Sequence, residues 1–280
     1  MKRDRQFHYL NLDIVLGALA IAGMAAHLLH ARVGWAWWIC LPLTVWILYM
    51  GDHLLDAWRH RKKTTRNLHR YINRNRKSLV WALFLAVIAD SLLILNALDR
   101  DYLLYAVILA GGVLVYYTVR HFFQRNRILY LPGELFVLLF YLAGTWLGPL
   151  VARGFSLDPE EILILVLNAG VLAMNLGVIS YYDVKLDTRL GIASLARTLG
   201  RKSTRMLVQV LGIGLFLVIL LQFLTFGVGY AGKFSIILAG MDILLLVVLW
   251  NPSQFGDDDR FRLAADAILL MGFLSFLIPA

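Results

Sequence analysis

Four aspartates stand in two pairs of equal spacing, each at the end of a long apolar run. Asp52 and Asp56 lie in Gly51-Asp52-His53-Leu54-Leu55-Asp56-Ala57-Trp58-Arg59-His60, and Asp183 and Asp187 follow Tyr181 and Tyr182. Residues four apart share one face of an α-helix, so Asp52, Asp56 and His60 form one stripe and Asp183 and Asp187 another. Like charges at this spacing repel each other, and beside a membrane they are poorly solvated. Four such carboxylates at one level call for a neutralising cation. Magnesium suits them, because it takes oxygen ligands and is commonly held by one or two carboxylates together with substrate phosphates. Between carboxylates and a diphosphate it would stabilise the charge that develops on a departing pyrophosphate. Arg59, Arg66, Arg197, Arg201 and Lys202 are candidates for the remaining phosphate oxygens. The competing reading pairs the acids with Arg59, Lys62, Lys185 or Arg189 in solvated loops.

The elements that position these residues are apolar helices. The chain of 280 residues is 60% hydrophobic and 16% charged, with a mean hydropathy of +0.70; soluble domains are less apolar and more charged. Runs of about 20 apolar residues cross a bilayer as helices, which satisfy their own backbone hydrogen bonds. About nine such runs are predicted, at 12–31, 34–58, 78–98, 102–120, 131–152, 160–182, 204–226, 230–250 and 261–279. The expected fold class is all-α, a single polytopic membrane domain over residues 1–280. Cytoplasmic loops 59–77 and 183–203 are expected to cap the site. With the N-terminus in the cytoplasm, 23 of the 27 lysines and arginines fall on the cytoplasmic side, and Arg32, Arg100, Arg153 and Lys233 fall outside. Such an imbalance sets orientation and puts the C-terminus outside, in a multi-pass protein of an inner or cytoplasmic membrane. The net charge of +9 lies between the apolar runs, at lipid-headgroup level, so membrane lipids and not nucleic acid are the expected partners. Both aspartate pairs end helices that run toward the cytoplasm and therefore share one depth.

Two Asp-rich segments at the cytoplasmic ends of the second and sixth of nine helices resemble the UbiA superfamily of intramembrane prenyltransferases. The family's first segment reads Asn-Asp-x-x-Asp-x-x-x-Asp; Asp52 falls on its Asn, Asp56 on the central Asp and His60 on the last Asp. The second often reads Asp-x-x-Asp-x-x-x-Asp, matched by Ser180, Asp183 and Asp187. The stretch Arg189–Gly200 resembles the family's segment immediately after this motif, which leads through a Gly and a short apolar run to a Leu-Gly. Tyr116-Tyr117-Thr118-Val119-Arg120 fits the Tyr-x-x-x-Lys at the end of the fourth helix, with Arg for Lys.

The resemblance implies a UbiA-like helical bundle that binds an isoprenyl diphosphate from the bilayer, ionises it with the help of magnesium, and passes the allylic cation to an aromatic or lipid-like acceptor. Asp52, Asp56, Asp183 and Asp187 would be the catalytic and metal-binding acids. Substrate contacts would come from Arg59, His60, Arg66, Tyr116, Arg120, Asn175, Tyr182, Lys185 and Arg197. Asn175 precedes Asp183 by two helical turns on the same face, and Arg120 would face the diphosphate. Tyr116, Tyr141, Trp146 and Tyr182 could present ring faces to the cation. His60 and Ser180 depart from the family's acids: imidazole suits softer metals, and serine removes a ligand. A terpene cyclase of the same fold and a non-catalytic lipid-binding or transport protein are the alternatives. Among the other polar residues, Glu134 begins the fifth span, where it either interacts with the helix N-terminal dipole or forms the pocket's polar edge, Asp90 is expected to pair with a His or hydroxyl on another helix, and Asp242 and Asp266 to face each other across the last two helices.

Overall fold

The computed structural model describes residues 2–59, 67–126, 133–256 and 259–279. Thirteen helices run through them: α1 (Lys2–Tyr9), α2 (Leu12–Leu28), α3 (Trp35–Arg59), α4 (Asn67–Arg74), α5 (Arg76–Ala97), α6 (Arg100–Asn126), α7 (Gly133–Ala152), α8 (Pro159–Leu190), α9 (Leu195–Leu199), α10 (Arg201–Phe226), α11 (Tyr230–Trp250), α12 (Pro252–Phe255) and α13 (Arg260–Leu269). A 3-10 segment, Leu270–Leu277, continues α13. There is no strand among the described residues.

Among the described residues, seven helices are long and apolar enough to cross a membrane: α3, α5, α6, α7, α8, α10 and α11. The first expected span is shorter, the 17 residues of α2, and the last is divided between α13 and the 3-10 segment. These two pack on one another. The contact is backbone against backbone at Gly272, where an added Cβ would lie 2.7 Å from the Ala20 carbonyl oxygen. A larger residue there would force the pair apart, because the atoms it would meet are backbone and cannot rotate away.

Helix α2 also lies against α3, α7 and α13, while α8 lies against α7, α10, α11 and α13; α5 covers α3, and α6 covers α7. The interior core is built mainly from α2, α8 and α11, including Ile21, Met24, Met174, Phe234 and Met241. The outer faces of α5, α6 and α10 expose Trp81, Leu95, Leu114, Leu221 and Leu224. An apolar exterior of this size is unstable in water and matches a lipid surface.

One element differs from expectation in a way that shapes the site. The segment from Asp183, read as the start of a loop, is helical to Leu190. Pro159 at the first helical position and the bond from the Asp158 amide to Glu161 Oε2, 2.8 Å, start α8. Gly191, at φ 75° in the left-handed region, ends it. At 1.5 Å per residue its 32 residues span about 48 Å, longer than the hydrocarbon layer, and its last turns carry Asp183 and Asp187. The expected loop at 59–77 likewise contains α4 and the start of α5.

Candidate functional site

A cavity of about 230 Å³ opens among α2, α3, α6, α7, α8 and α13, at the end of the bundle where α3, α6 and α8 finish and α7 and α13 begin. Asp52 and Asp56 line it from α3, and Asp183 and Asp187 from α8. The tertiary structure thus brings the two aspartate pairs, more than 120 residues apart in sequence, to one space. Asp183 and Asp187 are buried; Asp52 and Asp56 are half-buried.

The spacing within α8 explains the geometry. Leu172, Asn175, Ile179, Asp183, Leu186 and Leu190 recur at intervals of three or four and all face the cavity, so one helical stripe passes from apolar to acidic as it approaches the bundle end. A second, apolar cavity of about 130 Å³ adjoins the first, between α3, α6 and α7. Tyr49, Asp52, Tyr116, Val137 and Tyr141 line both, so the acids stand at the mouth of a hydrophobic groove.

Each acid has a distinct setting. Asp52 accepts a hydrogen bond from the Tyr117 hydroxyl at 3.4 Å. Asp183 is paired with Arg262 of α13, whose Nη2 donates to its carboxylate. Asp187 accepts from the Ser194 hydroxyl. The backbone that roofs this end is tied down at two amides: Ala196 N donates to Ser180 Oγ at 3.0 Å, and Leu195 N donates to Glu134 Oε1 at 2.8 Å. Ser180, standing where the resembled motif has an acid, therefore holds the short helix α9 against α8. Glu134 reaches the same helix from the first turn of α7, and its Oε2 is buried with no partner.

Other sequence-derived candidates divide. Tyr116 lines the cavity and stacks on Phe136 at 4.3 Å between ring centroids. Asn175 lines it too, while its Nδ2 donates to the Ala265 carbonyl at 2.8 Å, locking α8 to α13. Tyr182 is turned away: it donates to the Val248 carbonyl at 2.6 Å and stacks on Phe261. Trp146, expected among the cation-facing rings, is buried and donates to Asn168 at 3.0 Å. Lys185 is exposed, because at two residues from each acid it falls on the opposite side of α8. Arg197 Nη1 donates to the Ile192 carbonyl, in the link between α8 and α9, at 3.0 Å. Arg120 lies one helical turn beyond Tyr116 on α6, and Arg59 ends α3; their side chains, like His60 and Arg66 as a whole, lie outside the described residues.

Three groups escaped the sequence reading. Tyr49 and Tyr117 sit beside the acids, and Arg262 enters the cavity from α13. Arg262 counted only toward orientation; its signal was the i, i+4 pairing with Asp266 on a helix entering the apolar interior. Asp90 does take a hydroxyl partner, Thr44 of α3, at 2.7 Å. The expected facing of Asp242 and Asp266 is not what forms. Asp266 clusters with Asp13 and His8, the ligand atoms of all three lying within 4.8 Å, and His8 Nδ1 bonds Asp13. Asp242 is buried beside Gly212 without a hydrogen-bond partner. The α13 face that carries Asp266 turns toward α2 and the cavity, since Arg262 and Asp266 lie on the same stripe.

A polytopic helical membrane bundle with an acid-lined cavity at one end is the class these features define. No family model and no curated protein matches the chain. Among solved structures, one described as the apo structure of a UbiA homolog from Aeropyrum pernix K1 aligns with a TM-score of 0.60 at 17% identity, covering 94% of this chain and 97% of that one. The likeness extends over nearly the whole of both chains, and the fold is that of a UbiA-like helical bundle.

Proposed function

We propose that the protein is an intramembrane prenyltransferase of the UbiA type, which moves an isoprenyl group from an isoprenyl diphosphate to a hydrophobic, aromatic or lipid-like acceptor. The observation that carries this reading is the meeting of Asp52, Asp56, Asp183 and Asp187 in one cavity that continues into an apolar groove. A diphosphate needs cations and hydrogen-bond donors, an isoprenyl tail needs an apolar wall, and here both adjoin. The shared fold supports the reading, and the topology we propose with it puts the acid-lined end in the cytoplasm and the C-terminus outside.

The donor set fits magnesium: the carboxylates of Asp52, Asp56, Asp183 and Asp187 are hard oxygen ligands, with no thiolate among the described residues that line the cavity. When bound, the metal would supply charge stabilisation for the leaving diphosphate. The chain's residues do the rest. The bond between C1 and the diphosphate oxygen breaks, the electron pair leaves with the diphosphate, and an allylic cation remains. Tyr49, Tyr116 and Tyr141 stand at the junction of the two cavities, where that carbon would rest, and their ring faces attract positive charge. The acceptor's electrons then close the new bond, and the acceptor loses a proton. The apolar groove keeps water from the cation.

The test uses purified protein in lipid vesicles with labelled geranylgeranyl diphosphate, magnesium and a panel of aromatic acceptors, read by mass spectrometry and by pyrophosphate release. Prenylated acceptor formation that requires magnesium supports the proposal. Cyclised or hydroxylated terpene independent of acceptor points to a cyclase, and no pyrophosphate release under any condition overturns the enzymatic reading.

A further inference from the structure

A cation is built into the acid-lined cavity. Among the described side chains that line it, Arg262 is the sole lysine or arginine, facing Asp52, Asp56, Glu134, Asp183, Asp187 and Asp266. Its Nη2 donates to Asp183. The Arg262 side chain is 22% exposed and that of Asp183 8%, so the pair is largely withdrawn from water. It joins α13 to α8 across 79 residues of chain. Yet the guanidinium is only partly used. It carries five N–H donors in a planar fork suited to two-point binding of phosphate or carboxylate, while its Nε is buried with no hydrogen-bond partner. Removing one partner of a buried pair is strongly unfavourable unless another takes its place.

Resting on the reading that this cavity accepts an isoprenyl diphosphate, we propose that Arg262 is an exchangeable counter-ion: it occupies Asp183 before loading, and on loading transfers its guanidinium to the diphosphate, leaving the Asp183 carboxylate to a divalent cation. Three features of the site meet in this exchange. The diphosphate brings acceptor oxygens for both Nε and Nη2. The cation replaces the positive charge that Asp183 gives up. The acid stripe of α8 is never left with Asp183 and Asp187 both uncompensated one turn apart. Two ligands that each take one partner of the same pair must favour each other's binding, since the first to arrive has already broken it. Arg262 is thus a positioning and substrate-binding residue that also withholds the second acidic pair from metal while no substrate is present.

The exchange makes a reciprocal prediction that a merely structural ion pair does not. Full-length protein in detergent micelles is titrated with Mn2+ alone, tracked by the electron paramagnetic resonance of free Mn2+, and separately with methylene diphosphonate, first in the presence of chelator and then with Mn2+. Arg262→Gln should raise Mn2+ affinity at least threefold, because Asp183 is freed, and lower metal-free diphosphonate affinity at least tenfold. Asp183→Asn should do the opposite to the anion, raising metal-free diphosphonate affinity at least threefold, because Arg262 is freed. Arg262→Lys, which keeps the charge without the fork, should fall between the parent and Arg262→Gln in both titrations and serves if the glutamine variant does not fold. If the parent binds diphosphonate but neither substitution strengthens binding of the opposite ligand, the exchange is wrong while the diphosphate reading stands. If the parent binds no diphosphonate with or without Mn2+, both fall together.

Discussion

Replacing Ser180 by alanine should loosen the roof of the cavity without disturbing the bundle. Ser180 is 3% exposed and its Oγ accepts the amide of Ala196, itself fully buried, at 3.0 Å. Alanine removes the acceptor and leaves a buried N–H with no partner and no access to water, which costs about 1–3 kcal/mol. A second tie on this stretch reaches α7, the 2.8 Å bond from Leu195 N to Glu134, so the loss falls on local opening of α9 and not on global unfolding. Divided by RT, that loss corresponds to amide exchange about 5-fold to about 150-fold faster over Leu195–Leu199. Hydrogen–deuterium exchange in nanodiscs, resolved by peptide, would measure it, with α8 residues such as Val171 and Val178 as internal controls. Glu134→Gln keeps an acceptor oxygen and should change exchange less than Ser180→Ala. Unchanged exchange over α9 in Ser180→Ala, with α8 equally protected, would refute the idea that this hydroxyl holds the roof.

Asp56→Asn and Asp183→Asn should each lower prenyl transfer at least about tenfold with expression maintained, because a charge placed at a reacting diphosphate commonly contributes a few kcal/mol; full turnover in either variant, measured by pyrophosphate release, would remove that acid from the site. Arg120 occupies the helical position one turn beyond Tyr116. Arg120→Gln should raise the apparent constant for prenyl diphosphate and lower turnover while leaving the acceptor constant almost unchanged, and Arg120→Lys should keep partial activity; steady-state kinetics with each substrate varied separates this from headgroup anchoring, which predicts no change. In a Cys40→Ser background, Cys placed at exposed Ser156 and Ser203 should label from opposite sides of the membrane with an impermeant maleimide; labelling of both from one side is incompatible with the proposed orientation.

Much of the architecture was readable along the chain because a membrane makes local sequence decisive. A helix in lipid must satisfy its backbone internally and present an apolar surface, so α3, α5, α7, α10 and α11 could be located from composition alone, and the equal spacing of Asp52/Asp56 and Asp183/Asp187 identified two stripes of acid on two helices. Those are properties of residues at most a few turns apart. What tertiary structure decided depends on which face of each helix meets which neighbour. Arg262 reaches Asp183, and Ser180 and Glu134 reach the amides of α9, across gaps of 79, 16 and 61 residues, and no periodicity encodes such pairings. The same holds for Asp266, which joins Asp13 and His8 and not Asp242, since the rotation of α13 is set by its packing on α2 and α8. Lys185 and Tyr182 stand within a few residues of the acids and yet leave the cavity, because a step of one or two residues turns a side chain through about 100° or about 200° about the helix axis. Sequence by itself determined that the chain is a stack of membrane helices with acids at their ends; only the fold determined which of those helix faces enclose one space.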